Sequence, residues 1–457
     1  MEKPIGFIWH SSTTENMLGQ SAYRACSARA SLPRGSSYER LRWTVRTSHR
    51  HTLRPPPSPW TLSGPVPRDV PRGTRWIHVE AFLVPPLVFT GLLAVLWTWK
   101  CVTMVLLQNK IIYMPGLPPG TRREEIGDYS RDCRGVVWHN ERLRSEDGTL
   151  LALAVTSPPA VGLAQTSKTH IYILYFQGER LECACDLIAR QTNLYICSGN
   201  AASIPPRLPT ISAILHAAFN GPGPPVAYTM ACVSYRGYWK SSGRPSEKGI
   251  NMDVLSAWKW ASDTHARLYP FSDDTRPRPV LILWGQSIGA GFATNLAAKI
   301  ANHGDLAPAA NQQLLPVDAV ILETPFVSVR AMLKALYPQK WLPYRHLWPF
   351  LRNQLDSAAN LETIAGSHVR SHPPPRFLLV IAEKDEIVPR HHAEELHQRC
   401  ERLGLPTERH IVRGAYHNEA STRRDGQVAI ANFIRGCAEA GHAREAREGQ
   451  DARMKGG

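Results

Sequence analysis

The chain has 457 residues, of which 43% are hydrophobic and 20% charged, so it can bury the core of one large domain and still carry extra segments. Its formal net charge is +15, but residues 1–80 hold 12 Lys and Arg against five Asp and Glu, a local +7. The remaining excess is scattered, without the basic, aromatic-interleaved runs of a nucleic-acid surface, and no nucleic-acid partner is expected. Nine cysteines show no C-x-x-C spacing, the nearest approach being Cys183-Ala184-Cys185, and no companion Cys/His cluster for zinc. They read as buried free thiols, and the sequence calls for no metal or cofactor.

Residues 1–75 are rich in Arg, Ser and Pro, and Arg54-Pro55-Pro56-Pro57-Ser58-Pro59 excludes a helix there. This segment reads as a disordered basic extension, with a targeting segment as the alternative. Residues 81–99 then contain no charge. Nineteen residues at 1.5 Å each give about 28 Å, close to the ~30 Å hydrocarbon thickness of a bilayer. Lys100 interrupts and residues 101–107 are apolar again. The pattern predicts a single transmembrane helix over 81–107. Lys100 either marks the interface beside Trp97 and Trp99 or snorkels from a longer span. Basic residues lie on both sides, so charge bias does not choose the membrane face.

From about 130 to 437 the pattern is that of a folded domain. Val136–Leu143 and Leu150–Thr156 read as a hairpin around Glu146-Asp147-Gly148. Apolar runs follow at Ile171–Phe176, Val226–Ser234, Val280–Trp284, Ala319–Leu322 and Phe377–Ala382, with a shorter one at His410–Val412. Helical segments at Asn251–Ser262, Ile288–Asn302, His391–Leu403 and Gln427–Cys437 separate some of them. This alternation predicts an α/β fold with a mostly parallel eight-stranded sheet flanked by helices. Residues 197–223 read as an irregular insertion, 327–372 as a second insertion, and 438–457 as a disordered tail.

Gly285-Gln286-Ser287-Ile288-Gly289 follows the strand Val280–Trp284 and opens an Ala-rich helix. The five-residue pattern alone is weak, arising by chance roughly once in six or seven chains of this length. Its context is specific: a sharp strand-to-helix turn exposes the Ser287 hydroxyl above the sheet. A serine needs a base, and His417, on a loop after the last strand, is the candidate. Asp385, after the strand Phe377–Ala382, would orient the imidazole, with Glu383 and Glu386 as rivals. An oxyanion hole would use the Ile288 amide together with that of Glu179 or Gln177, in the loop Phe176-Gln177-Gly178-Glu179-Arg180. Arg236, in Tyr235-Arg236-Gly237-Tyr238, reads as a structural brace.

These elements resemble the α/β-hydrolase superfamily, and most of all its membrane-anchored α/β-hydrolase-domain proteins, including fungal bud-emergence-type and serine aminopeptidase-like hydrolases. The resemblance spans about 80–437. It also draws on Asn109-Lys110-Ile111-Ile112-Tyr113-Met114-Pro115, Glu323-Thr324-Pro325-Phe326 and His417-Asn418. It implies a metal-free serine hydrolase with Ser287, Asp385 and His417 as its triad, and a cap formed by the insertion at 327–372. One departure is Gln177-Gly178-Glu179, where relatives usually carry His-Gly-Asn or Gln-Gly-Asn. Trp341, Trp348 and Phe350 in the cap either line an acyl-chain site or form the cap's own core.

The expected activity is hydrolysis of acyl esters or thioesters, on lipids or S-acylated proteins such as palmitoyl proteins. The expected setting is a single-pass membrane protein of an endomembrane or the plasma membrane. A serine peptidase of the same fold is the first alternative, and a catalytically dead membrane scaffold is the alternative of another class.

Overall fold

The computed structural model describes residues 79–115, 120–159, 167–178, 203–221, 226–270, 277–302, 314–367 and 373–456. The expected basic extension over 1–75 lies outside the described residues. Helix α1, Val79–Leu106, is followed by the short α2, Gln108–Tyr113. Within α1, Phe82–Leu106 is long and apolar enough to cross a membrane, and none of it is buried inside the protein. Pro85 and Pro86 are the seventh and eighth residues of α1, inside the helix, where each removes one backbone N–H from the i→i−4 ladder.

The sheet begins with a hairpin of β1 (Trp138–Arg144) and β2 (Leu150–Thr156). Then come β3 (Thr169–Phe176), α3 (Leu208–Phe219), β4 (Ala227–Ser234), α4 (Glu247–Leu268), β5 (Arg278–Gln286) and α5 (Ile288–Asn302). The chain continues through β6 (Val317–Glu323), α6 (Val329–Leu336), α7 (Ser357–Gly366), β7 (Arg376–Ala382), α8 (His391–Arg402), β8 (Thr407–Val412) and α9 (Arg424–Gly456). The strand order is β1-β2-β4-β3-β5-β6-β7-β8. β1–β2 and β2–β4 are antiparallel and the remaining pairs parallel. This is the α/β-hydrolase fold. β3, β5 and β6 are apolar almost throughout because helices cover both faces. Leu174, Leu283 and Leu322 face α4, α5 and α7. Ile173, Ile282 and Ile321 face α3 and α9.

Two expectations are corrected. Residues 208–219 are not part of an irregular insertion but a regular helix, α3. A parallel β3-to-β4 crossover needs an element on the sheet face, and Leu208, Ile211, Ile214 and Leu215 bury there. Likewise, the tail over 438–457 continues helically to Gly456. Its sequence is dominated by the good helix formers Ala, Glu and Arg. Its first turn also packs on the sheet: Gly441 fits against Val280 and Thr169, and His442 Nδ1 lies 3.1 Å from Thr169 Oγ1.

The junction of α1 with the domain is densely bonded. Arg352 Nη2 donates to the carbonyls of Val105 and Leu106, at 2.8 and 3.0 Å, which the helix end leaves without intrahelical partners. Gln108 Nε2 donates to Phe350 O, and its Oε1 accepts Arg352 N–H. Asn353 accepts from Tyr113 Oη and donates to Asn109 Oδ1. Tyr113 also stacks against Phe292 of α5.

Candidate active site

The turn from β5 into α5 carries Ser287 at φ +51°, a left-handed conformation rare for a residue with a Cβ. The flanking glycines allow it. A Cβ on Gly285 would lie 2.3 Å from Gly289 O, and one on Gly289 would lie 2.0 Å from Phe176 O. The Ser287 N–H donates to Glu323 O at 2.8 Å, fixing the turn to the end of β6.

Ser287 Oγ lies 2.9 Å from His417 Nε2. His417 Nδ1 lies 2.9 and 2.8 Å from the two Asp385 carboxylate oxygens. An ionised carboxylate only accepts, so Nδ1 carries the proton and Nε2 is free to accept from the serine hydroxyl. The imidazole is fully buried and the Asp385 side chain nearly so. Asp385 is itself held, because its Oδ1 accepts the N–H groups of Ile387 (2.9 Å) and Val388 (2.7 Å). The rivals act on the backbone of the histidine loop instead: Glu383 accepts Gly414 N–H at 2.6 Å and Glu386 accepts His417 N–H at 3.0 Å. Among the three carboxylates, Asp385 is the one that meets the ring.

Ile288 is the first residue of α5, so its N–H has no intrahelical acceptor. Opposite it runs the loop after β3. A Cβ on Gly178 would lie 2.8 Å from both Ser287 Cβ and Gln286 O, so the backbone itself reaches the serine. Tyr235 Oη donates to Gln177 O at 3.1 Å. In a trans peptide this turns the Gly178 N–H the opposite way. The Gln177 side chain is buried, and both its amide atoms lack partners. Glu179 lies outside the described residues. Trp341, Trp348 and Phe350 are 67%, 43% and 60% exposed, which overturns the expectation that they form the cap's own core.

Sequence reasoning gave Glu323 no role of its own, only a place in the resemblance. It is fully buried at the end of β6. Its carboxylate accepts from Ser421 N (3.1 Å), Gln286 Nε2 (3.3 Å) and Trp284 Nε1 (3.2 Å). Through these bonds and its own carbonyl it ties the serine turn to the histidine loop. The available signal was an acid directly after the apolar run Ala319–Leu322. Arg236 is a brace as expected, bonded to buried Asp253 at 2.7 Å and to Asp147 of the hairpin at 2.6 Å. Those bonds hold the Asp147 carboxyl well below the usual range. Among the described residues no group of three or more His, Cys, Asp or Glu side chains could hold a metal ion. Cys101, Cys133, Cys232 and Cys400 are free thiols, all buried except the half-buried Cys101.

No family model matches the chain. It is 32% identical over 165 residues to lysophosphatidylserine lipase ABHD12 of Danio rerio, covering 36% of this chain and 37% of that protein. It is 28% identical over 201 residues to protein bem46 of Schizosaccharomyces pombe, covering 44% and 53%. The matched region therefore spans about half or less of these curated relatives. An α/β hydrolase from Vibrio vulnificus superposes with a TM-score of 0.46 at 18% identity, over 73% of this chain and 93% of that one. Strand order and sequence relatives point the same way: the chain has the α/β-hydrolase fold, and its matched region is similar to ABHD-type proteins.

Proposed function

We propose that this protein is a membrane-anchored serine hydrolase that cleaves acyl esters or thioesters through an acyl-enzyme on Ser287. The observation that carries the reading is the Ser287–His417–Asp385 relay, set on a strained turn at the C-terminal edge of the sheet. His417 takes the Ser287 proton as Oγ attacks the acyl carbon. Asp385 stabilises the imidazolium, which then protonates the leaving oxygen or sulfur. Water, deprotonated by the same imidazole, releases the acid. The developing oxyanion would be met by the Ile288 N–H and by a backbone N–H of the 177–179 loop. The start of α5 adds its dipole to the same point.

Lipid esters are the favoured substrates. The apolar α1 supports a single membrane span, and the zebrafish relative is named for lipase activity on lysophosphatidylserine. S-acylated proteins share the thioester chemistry and are the second class. The scaffold alternative is disfavoured by the strain at Ser287, since such conformations cost about 1–3 kcal/mol and cluster at active sites. A fluorophosphonate probe should label the wild-type chain and leave Ser287→Ala unlabelled. Equal labelling of the two would refute the assignment.

A further inference from the structure

The insertion between β6 and α7 is distinctive in both composition and place. From Val329 to Arg352 it contains five Lys and Arg, no Asp or Glu, and the aromatics Tyr337, Trp341, Tyr344, Trp348 and Phe350. Leu336, Trp341, Trp348 and Phe350 are exposed. They open outward rather than pack together, and Arg330 lies 3.9 Å over the Trp348 ring. Basic residues interleaved with exposed aromatics are the composition of segments that lie in a headgroup layer.

The segment is also bonded to α1 at a defined depth. Trp97 and Trp341 ring centroids are 5.8 Å apart. Lys100 Nζ lies 4.4 Å from the Tyr344 ring centroid and 5.6 Å from that of Tyr337. One helix face, through Trp97, Cys101 and Met104, receives these side chains. Lys100 is the first charge after the uncharged run and, although the apolar helix runs on to Leu106, its ammonium would reach the headgroup layer near this level. Trp97 lies three residues, about 4.5 Å, further in. Trp341, packed on Trp97, is therefore held at the depth where indole rings concentrate.

We propose that residues 336–351 form a second membrane contact, a monotopic patch seated in the headgroup–acyl boundary of an anionic leaflet. The occupant of this face is lipid, because the span to which the patch is bonded places it there. The inference rests on the membrane-anchored part of the reading above and not on its chemistry. The patch is joined to the catalytic layer: buried Leu355, just beyond it, packs on α5, where a Cβ on Gly291 would lie 3.1 Å from Leu355 Cβ.

The test uses the full chain in nanodiscs of phosphatidylcholine and phosphatidylserine, with and without lipids brominated near the headgroup end of their chains. Trp341→Phe/Trp348→Phe should lose roughly half of the bromolipid-dependent tryptophan quenching, since Trp97 and Trp99 supply the rest. Quenching equal to wild type would place both rings in water and overturn the proposal. If the double variant does not fold, hydrogen exchange of the wild-type chain decides. Amides 337–351 should exchange about tenfold more slowly in nanodiscs than in a polymer-solubilised state, and equal rates would overturn it. Neither readout needs turnover, so a chain that hydrolyses no ester yet shows the quenching keeps this inference and loses the catalytic one.

Discussion

Gly178→Ala tests how closely the loop after β3 must approach the serine. The added Cβ would lie 2.8 Å from Ser287 Cβ and 2.8 Å from Gln286 O. Non-bonded carbons settle at about 3.5 Å or more, so the contact must open by about 0.7 Å. Neither neighbour gives way freely. Gln286 O is backbone at the end of β5, and Ser287 is pinned through its own N–H to Glu323 O. The elbow must tilt or the loop must back away, and either displaces the hydroxyl from the facing amide. A misplacement near 1 Å costs on the order of 10²-fold. The expected loss is therefore tenfold to a hundredfold, roughly 1.4–2.7 kcal/mol on the barrier. Overpacking of this kind costs about 1–3 kcal/mol of stability and leaves the chain folded. The assay is the second-order rate of fluorophosphonate labelling, read beside the thermal midpoint. Gly127→Ala is the control, since a Cβ there meets nothing within 4 Å. A folded Gly178→Ala that labels at the wild-type rate would refute the reasoning.

Three further outcomes are expected. Glu323→Gln keeps the acceptor for Ser421 N–H and should lose less labelling rate than Glu323→Ala, which frees both the serine turn and the histidine loop. Equal effects of the two would remove Glu323 as a positioning residue. Asp253→Asn leaves buried Arg236 short of a charge partner and should lower the free energy of unfolding in urea by about 3 kcal/mol, the range for a broken buried pair; a loss below about 1 kcal/mol would contradict this. His170 and His392 have pKa values lowered by burial from 6.5 to about 3 and about 4. The unfolded chain then binds more protons than the folded one below about pH 6.5, so stability falls as pH drops through the window from 6.5 towards 3–4. The loss approaches several kcal/mol at the acid end, at about 1.4 kcal/mol for every tenfold drop in proton affinity. His170→Gln should flatten the pH dependence of the urea midpoint between pH 7 and 5, and an unchanged slope would exclude His170 as its source.

The fold was legible where burial on both faces wrote itself as uninterrupted apolar runs, as in Ile171–Phe176 and Val280–Trp284. The turn at Ser287 was legible because glycine is demanded at two fixed positions by backbone contacts. Leu208–Phe219 was not, since a helix apolar on most sides shows little 3.6-residue contrast and follows the breaker Pro205-Pro206. Glu383, Asp385 and Glu386 could not be separated by composition. The choice depends on the path of the loop, which turns Asp385 inward through the amides of Ile387 and Val388. The role of Glu323 was equally hidden, because its partners come from β5 and from a loop some hundred residues away.

The clasp formed by Arg352, Gln108 and Asn353 around the end of α1 has a kinetic consequence. A catalytic body on a loose tether samples many orientations and meets its substrate as solutes meet in solution. One clamped to its stem presents the same side to the lipid at all times, and the search becomes two-dimensional. For the membrane-anchored lipid hydrolase proposed above, reaction velocity should then follow the mole fraction of substrate among its neighbouring lipids, and diluting the vesicles in buffer should leave it unchanged.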